Sequence, residues 1–233
     1  MLALVPRRLL FEALAVTTLF GGCATQMPGP PIAAPALKVG DRWVYHGTEG
    51  YRQKIEWDET HEITAISPGE ITVRVTLKGP SVDVARTEKW TAPGIVLEGA
   101  VYEDETNRFD PPLIRYQYPL TSGASWSQQT RNLLKPPDPY GPIGRRVTVE
   151  GYETVSTPAG TYEAIRLNVV MTMDDETFWR YPSRCEYTIW YSPAVGAMVK
   201  EEKHSSYGDK GRNPGAYNPG QNTRIQLVSY ARH

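Results

Sequence analysis

An all-β fold is predicted for this 233-residue chain by three features of its sequence. Apolar residues recur at every second position, no stretch carries convincing helical spacing, and Pro/Gly turn signals punctuate the alternation. The clearest run sets Ile71, Val73, Val75 and Leu77 against Thr72, Arg74, Thr76 and Lys78, and Ile165, Leu167, Val169, Met171 and Met173 repeat it. Successive side chains of a strand point to opposite faces, so each run is a half-buried strand. Segments 53–66, 82–90, 95–102, 146–155, 185–191, 197–203 and 224–230 alternate less strictly. The expected fold is a curled antiparallel sheet or half-open barrel of about ten strands. Two stretches break the pattern and are expected as long loops. One is 127–144, with Lys135-Pro136-Pro137-Asp138-Pro139; the other is 205–222, with Asn213-Pro214-Gly215 and Asn218-Pro219-Gly220.

The chain begins with Arg7 and Arg8, then runs apolar over 9–20 apart from Glu12, Thr17 and Thr18. That is a basic region followed by a short hydrophobic one, the organisation of an export signal. A membrane-crossing helix needs about 20 apolar residues, more than this run supplies before Gly21-Gly22. The segment Leu19-Phe20-Gly21-Gly22-Cys23-Ala24 resembles the lipobox of bacterial lipoproteins, with Phe20 where Leu is usual. The resemblance implies that residues 1–22 are removed and that Cys23 carries the lipid. Two or more acyl chains give stable anchoring where one does not. Ala24 after the cysteine resembles the outer-membrane sorting pattern, so the expected address is the periplasm-facing outer membrane.

Residues 23–37 hold Pro28, Pro30, Pro31 and Pro35 and almost no charge, and are expected as a lipidated, semi-extended tether. A single β domain is expected over 38–233. Removing 1–22 takes away Arg7, Arg8 and Glu12 and moves the net charge from −1 to −2. With no basic block, nucleic acid is not an expected partner. Cys23 and Cys185 are the only cysteines. If the first is lipidated no disulfide can form, and Cys185, in a strand-like run, is expected as a small buried apolar residue.

Landmarks recur in the same order in two halves, about 38–118 and 119–233. Gly40-Asp41-Arg42-Trp43 is answered by Gly123-Ala124-Ser125-Trp126, and Ile66-Ser67-Pro68-Gly69-Glu70 by Thr157-Pro158-Ala159-Gly160-Thr161. Trp90-Thr91-Ala92-Pro93-Gly94 is answered by Trp190-Tyr191-Ser192-Pro193 with Gly196. Proline presets φ and glycine supplies the positive φ that such turns need. An internal duplication is expected. The second half, through Thr157 to Tyr162 and Trp190 to Gly196, also resembles a family of exported bacterial domains of unknown function. That resemblance implies a curled sheet similar to the half-barrels of lipoprotein carriers, and it speaks to fold more than to function.

Chemistry is sparse in the sequence. His46, His61, His204 and His233 lack zinc-motif spacing, and they are expected at the surface or an interface. Glu103-Asp104-Glu105 and Asp174-Asp175-Glu176 lack calcium-loop spacing. No nucleophile elbow, P-loop or dinucleotide fingerprint occurs, so no metal, cofactor or catalytic residue is expected. The remaining resource is aromatic. Trp43, Trp57, Trp90, Trp126 and Trp190 are the candidates for a concave ligand face. The expected function is a non-catalytic, membrane-anchored envelope lipoprotein that binds an apolar or amphipathic ligand (lipid, glycan) or an envelope protein. A structural or assembly scaffold is the alternative, and an envelope hydrolase with a dispersed site is the third reading.

Overall fold

The computed structural model describes residues 27–50, 54–101, 106–133, 140–174, 180–211 and 217–233. Among the described residues twelve strands follow one another: β1 (Arg42–Glu49), β2 (Ile55–Ser67), β3 (Glu70–Gly79), β4 (Val82–Ala92), β5 (Ile95–Gly99), β6 (Asn107–Ile114), β7 (Ser125–Asn132), β8 (Tyr140–Thr157), β9 (Gly160–Met173), β10 (Ser183–Ser192), β11 (Ala197–Gly208) and β12 (Tyr217–Ala231). Each pairs antiparallel with the next, and β1 pairs with β12 from Arg42↔Ala231 to Glu49↔Thr223, so the sheet closes into an up-and-down barrel. The antiparallel all-β expectation holds. The half-open sheet of about ten strands does not, because the first and last strands find each other and closure leaves no sheet edge unpaired.

Three strands were not predictable from alternation. β1 is interrupted by Gly47, whose absent Cβ makes room for the Trp57 indole, 2.3 Å from where a Cβ would stand. β6 contains Pro111-Pro112 and β7 is mostly polar. Proline cannot donate to a ladder, and regular β6–β7 pairing is limited to Phe109↔Asn132 and Asp110↔Arg131. Side chains of β7 complete the joint. Thr130 Oγ1 donates to the Pro111 carbonyl at 2.6 Å, and Gln128 Nε2 donates to that of Pro112 at 2.7 Å. The two expected loops shrink accordingly, since β7 and β8 occupy much of 127–144 and β11 and β12 much of 205–222.

The repeated landmarks occupy equivalent places. Ser67–Glu70 joins β2 to β3 as Thr157–Gly160 joins β8 to β9, and 92–95 joins β4 to β5 as 192–197 joins β10 to β11. The strand starts are alike in detail. Gly40 N–H donates to the Ile63 carbonyl and Gly123 N–H to that of Val149, while Ile63 N–H returns to Asp41 and Val149 N–H to Ala124. Both glycines have positive φ, 94° and 85°. All these turns lie at one end of the barrel, beside the start of β1 and the end of β12.

The proline-rich segment packs on that end from Met27 onward, where a free tether was expected. Ile32 is buried and exchanges 2.9 Å backbone bonds with Leu120, and Tyr152 Oη donates to the Pro30 carbonyl at 2.6 Å. Fully buried Asp41 accepts from the Lys38 and His233 amides, each at 2.9 Å, and from Arg232 Nε at 3.1 Å, which joins the segment to the last strand.

Inward positions carry the core. Ile71, Val73, Val75 and Leu77 of β3, and Ile165, Leu167, Val169 and Met171 of β9, are buried as the alternation predicts. Cys185 is buried too, and burial pushes its thiol up to about 12. The alternate positions, such as Thr72, Arg74, Thr76 and Lys78, are polar, the reverse of a membrane-spanning barrel with its apolar outer band.

Candidate functional site

The barrel is hollow. A cavity of about 250 Å³ occupies its interior, and its wall differs from side to side. From β2 come Trp57, Glu59 and His61, and from β4 come Arg86, Glu88 and Trp90. These are alternate residues on each strand, so two ionisable groups per strand share the inward face with a tryptophan. The connection after β6 adds Arg115, Tyr116 and Tyr118, and β8 adds Arg145. Across the cavity, β10 supplies Tyr187, Ile189 and Tyr191, and β11 supplies Glu201 and Lys203.

The charged side chains form an ordered array. Glu59 lies 2.5 Å from His61 Nε2, accepts from Trp57 Nε1 at 3.3 Å and is 3.9 Å from Arg86. Glu88 accepts from Trp90 Nε1 at 3.0 Å, from Arg86 Nε at 3.4 Å and from Arg115 Nη2 at 3.5 Å. Arg86 therefore bridges the two carboxylates. Burial alone pushes Glu59 up, but the His61 contact and the Arg86 charge outweigh it and hold the carboxyl at about 2. The same contest leaves Glu88 below its ordinary value, with Arg115 the strongest of the cations that outweigh burial. Both carboxyls stay ionised at neutral pH, as buried charges do when paired and hydrogen-bonded.

The connection that carries Arg115 is positioned by a turn legible in the sequence. Arg115 and Tyr116 N–H both donate to the Gly94 carbonyl, at 2.7 and 3.1 Å. Gly94 has φ 81°, and a Cβ there would stand 2.8 Å from Tyr116 Cβ and 2.9 Å from its carbonyl. The Trp-Thr-Ala-Pro-Gly landmark thus sets the Arg115–Tyr116 connection against the cavity. Beyond it Tyr116, Tyr118 and Tyr191 meet at ring separations of 5.2 to 6.1 Å. Burial pushes the phenol of Tyr191 up to about 12 and those of Tyr116 and Tyr118 higher, so all three are neutral hydrogen-bonding groups.

Of the predicted ligand-face aromatics, Trp43, Trp57 and Trp90 line the cavity. Trp126 and Trp190 are not among the lining residues. Trp126 packs against the apolar core with Nε1 on the Ile114 carbonyl at 3.4 Å, while Trp190 bonds Glu153 and stacks under Lys200 at 4.3 Å. The expectation for the histidines fails at His61, which lies inside the barrel because its strand places it in phase with Trp57 and Ile63. Cys23, the export signal, Glu103-Asp104-Glu105, Asp175 and Glu176 lie outside the described residues.

Sequence reasoning missed the charged array altogether. Its signal was an ionisable residue at the apolar phase of an alternating strand: Glu59 and His61 between Trp57 and Ile63, Arg86 and Glu88 between Val84 and Trp90, Arg145 between Ile143 and Val147. Among the described residues no group of His, Cys, Asp and Glu could hold a metal.

The family described as DUF3108-like matches residues 143–212, from the start of β8 to just past β11. The comparison with curated proteins finds no match. Among solved structures, the chain resembles one described as a candidate lipoprotein from Parabacteroides distasonis, at 15% identity and TM-score 0.50 over 87% of this chain and 100% of that one. It also resembles an exported protein with a YmcC-like fold from Bacteroides fragilis, at 10% identity and TM-score 0.43, over 87% and 100% of the two chains. The hypothetical lipoprotein YmcC of Escherichia coli follows at 10% identity and TM-score 0.40, over 83% and 86%. At 15% identity the likeness to the Parabacteroides distasonis structure is one of fold.

Proposed function

We propose that this protein is a lipid-anchored envelope lipoprotein that catalyses no reaction and holds an amphipathic ligand inside its barrel. The observation that carries the reading is the cavity, about 250 Å³ lined by aromatic and aliphatic side chains with a few convergent charges. That mixture suits a ligand with an apolar body and a polar group, and its size is near the small end of ligand pockets. The anchoring half of the proposal rests on the basic and apolar start of the chain and on the lipobox at Cys23. The descriptions of two similar structures as lipoproteins and a third as exported agree with it. Outer-membrane placement rests on Ala24 alone.

Labelled fatty acid supplied to cells should enter the wild-type protein and be absent from Cys23→Ala. Label retained in the variant overturns the anchor. Native mass spectrometry on protein extracted from the envelope should show a bound mass that denaturation releases. An apo mass only, together with tryptophan emission unmoved by envelope lipid extract, overturns the ligand and leaves a scaffold.

A further inference from the structure

Arg145 stands apart from the other charges of the cavity. Arg86 and Arg115 contact Glu59 and Glu88, and Lys203 lies 3.6 Å from Glu201. Arg145 is 4% exposed and has no carboxylate within salt-bridge distance among the described residues. Its one hydrogen bond there runs from Nη1 to the Ile114 carbonyl at 2.7 Å, an oxygen that Trp126 Nε1 also approaches. A guanidinium has five donors and stays protonated, so one bond leaves most of the fork unused. Burial lowers Arg145 to about 10 and the neighbouring Arg115 charge acts in the same direction, while Tyr187, Tyr116 and Glu201 oppose them without restoring the ordinary value. The residue is nevertheless a cation at neutral pH, and a buried charge with no carboxylate in direct contact is expensive for a fold to keep.

The surroundings resolve what such a cation can be for. Arg145 lines the same cavity as Lys203 and the hydroxyl-bearing rings of Tyr116 and Tyr187. Lys203 Nζ sits 4.8 Å from the Tyr187 ring centre. Lys203 and the Tyr116 hydroxyl are donors, whereas Tyr187 Oη already donates to the Val101 carbonyl at 2.9 Å, and a planar guanidinium fork matches the two oxygens of a carboxylate or phosphate. Leu113, Ile189 and Met198 line the cavity as well, which supplies the apolar part. We infer that the barrel binds an anionic amphiphile, its carboxylate or phosphate group paired with Arg145 and its apolar part lying along the aliphatic and tryptophan wall. This rests on the cavity being a ligand site, as proposed above, and adds the charge of the ligand and the residue that reads it.

The full chain, stripped of bound lipid, is titrated with four probes while tryptophan emission is followed: dodecanoate, dodecyl phosphate, dodecanol and inorganic phosphate. One or both anionic amphiphiles should bind about tenfold or more tighter than dodecanol, the range of a charge-assisted hydrogen bond, and which of them leads identifies the head group. Inorganic phosphate alone should bind far more weakly than dodecyl phosphate. Arg145→Met should lose the anionic preference while still taking up dodecanol. If Arg145→Met does not fold, Arg145→Lys takes its place and should keep only part of the preference, having a charge but no fork. Equal binding of charged and neutral amphiphiles by the wild type overturns the inference and leaves the cavity reading intact. A preference that survives in Arg145→Met overturns the assignment to this residue. Failure of every amphiphile to bind overturns the cavity reading itself.

Discussion

The first six strands and the last six are built alike and filled differently. Both halves open on a positive-φ glycine donating to a carbonyl of the half's second strand, and both place a Pro/Gly turn after the second strand and another after the fourth. Their inward residues diverge. In the first half β2 and β4 present Glu59, His61, Arg86 and Glu88 to the interior, whereas β8, β9 and β10 of the second present Val147, Val149, Leu167, Val169, Met171, Cys185 and Ile189, with Arg145 of β8 and the Glu201–Lys203 pair of β11 as the exceptions. Turn chemistry and alternation specify the barrel, and the inward phase is then free to be apolar wall or polar site. The match to the DUF3108-like family falls on 143–212, mostly the apolar side, and leaves the Glu59–Arg86–Glu88 array outside it.

The comparison is broken most forcefully by deleting one inward group from each half. Leu167→Ala removes a fully buried aliphatic side chain and should cost about 2–5 kcal/mol through lost burial and the cavity left behind. Glu88→Ala should cost at least as much, about 3–5 kcal/mol. It strips Arg115 of its carboxylate and leaves Arg86 the longer contact with Glu59. The discriminating variant is Glu88→Gln, nearly isosteric, which should recover little of the loss because charge rather than volume is missing. Urea unfolding measures all three. A Glu88→Ala variant as stable as wild type would mean that the polar array contributes nothing to the fold.

Next in size is a contrast between two turns. Gly94 and Gly160 both lie at positive φ, 81° and 135°, and β-branched residues are strained there by about 1–3 kcal/mol. Around Gly160 a Cβ meets nothing closer than 3.7 Å, whereas at Gly94 it collides with the backbone and Cβ of Tyr116. Gly160→Val should therefore show the strain alone, and Gly94→Val the strain plus about 1–3 kcal/mol of overpacking. Gly94→Val should also disturb probe binding, since the Arg115–Tyr116 connection hangs on the Gly94 carbonyl, and Gly160→Val should not. Equal losses in thermal stability at the two turns would show that Tyr116 yields freely.

Most of the barrel was legible because period-two alternation is a local signal, as at 71–77 and 165–173. The missing strands were those where local signals conflict with tertiary pairing. Pro111-Pro112 argues against a strand until Gln128 and Thr130 are seen to satisfy the proline carbonyls. Closure was illegible because Arg42↔Ala231 pairing joins residues at opposite ends of the folded chain and leaves no mark in either segment. At the site, tryptophans were sought for size, which found Trp43, Trp57 and Trp90, but also took in Trp126 and Trp190, whose strand phase or packing turns them elsewhere. The docking of Met27–Leu37 was hidden for the opposite reason, since proline-rich composition reads the same whether free or packed.

The smallest effect expected is silent at neutral pH and separates the halves by titration. Glu59 is held at about 2 against an ordinary 4.5. Because the folded value is the lower one, the carboxylate's contribution to stability is complete above about pH 4.5 and is lost as pH falls from there towards 2, where the folded protein must also take up the proton. Glu88, lowered in the same direction, adds to the loss. The unfolding midpoint should therefore decline through this window more steeply in the wild type than in Glu59→Gln, which has no proton to gain there. Leu167→Ala is the control from the other half: it lowers the midpoint at every pH and leaves the slope unchanged, since it touches no ionising group. Parallel curves for the wild type and Glu59→Gln would show that Glu59 titrates alike in the folded and unfolded chain, and that the His61 and Arg86 contacts do not hold its charge in the barrel.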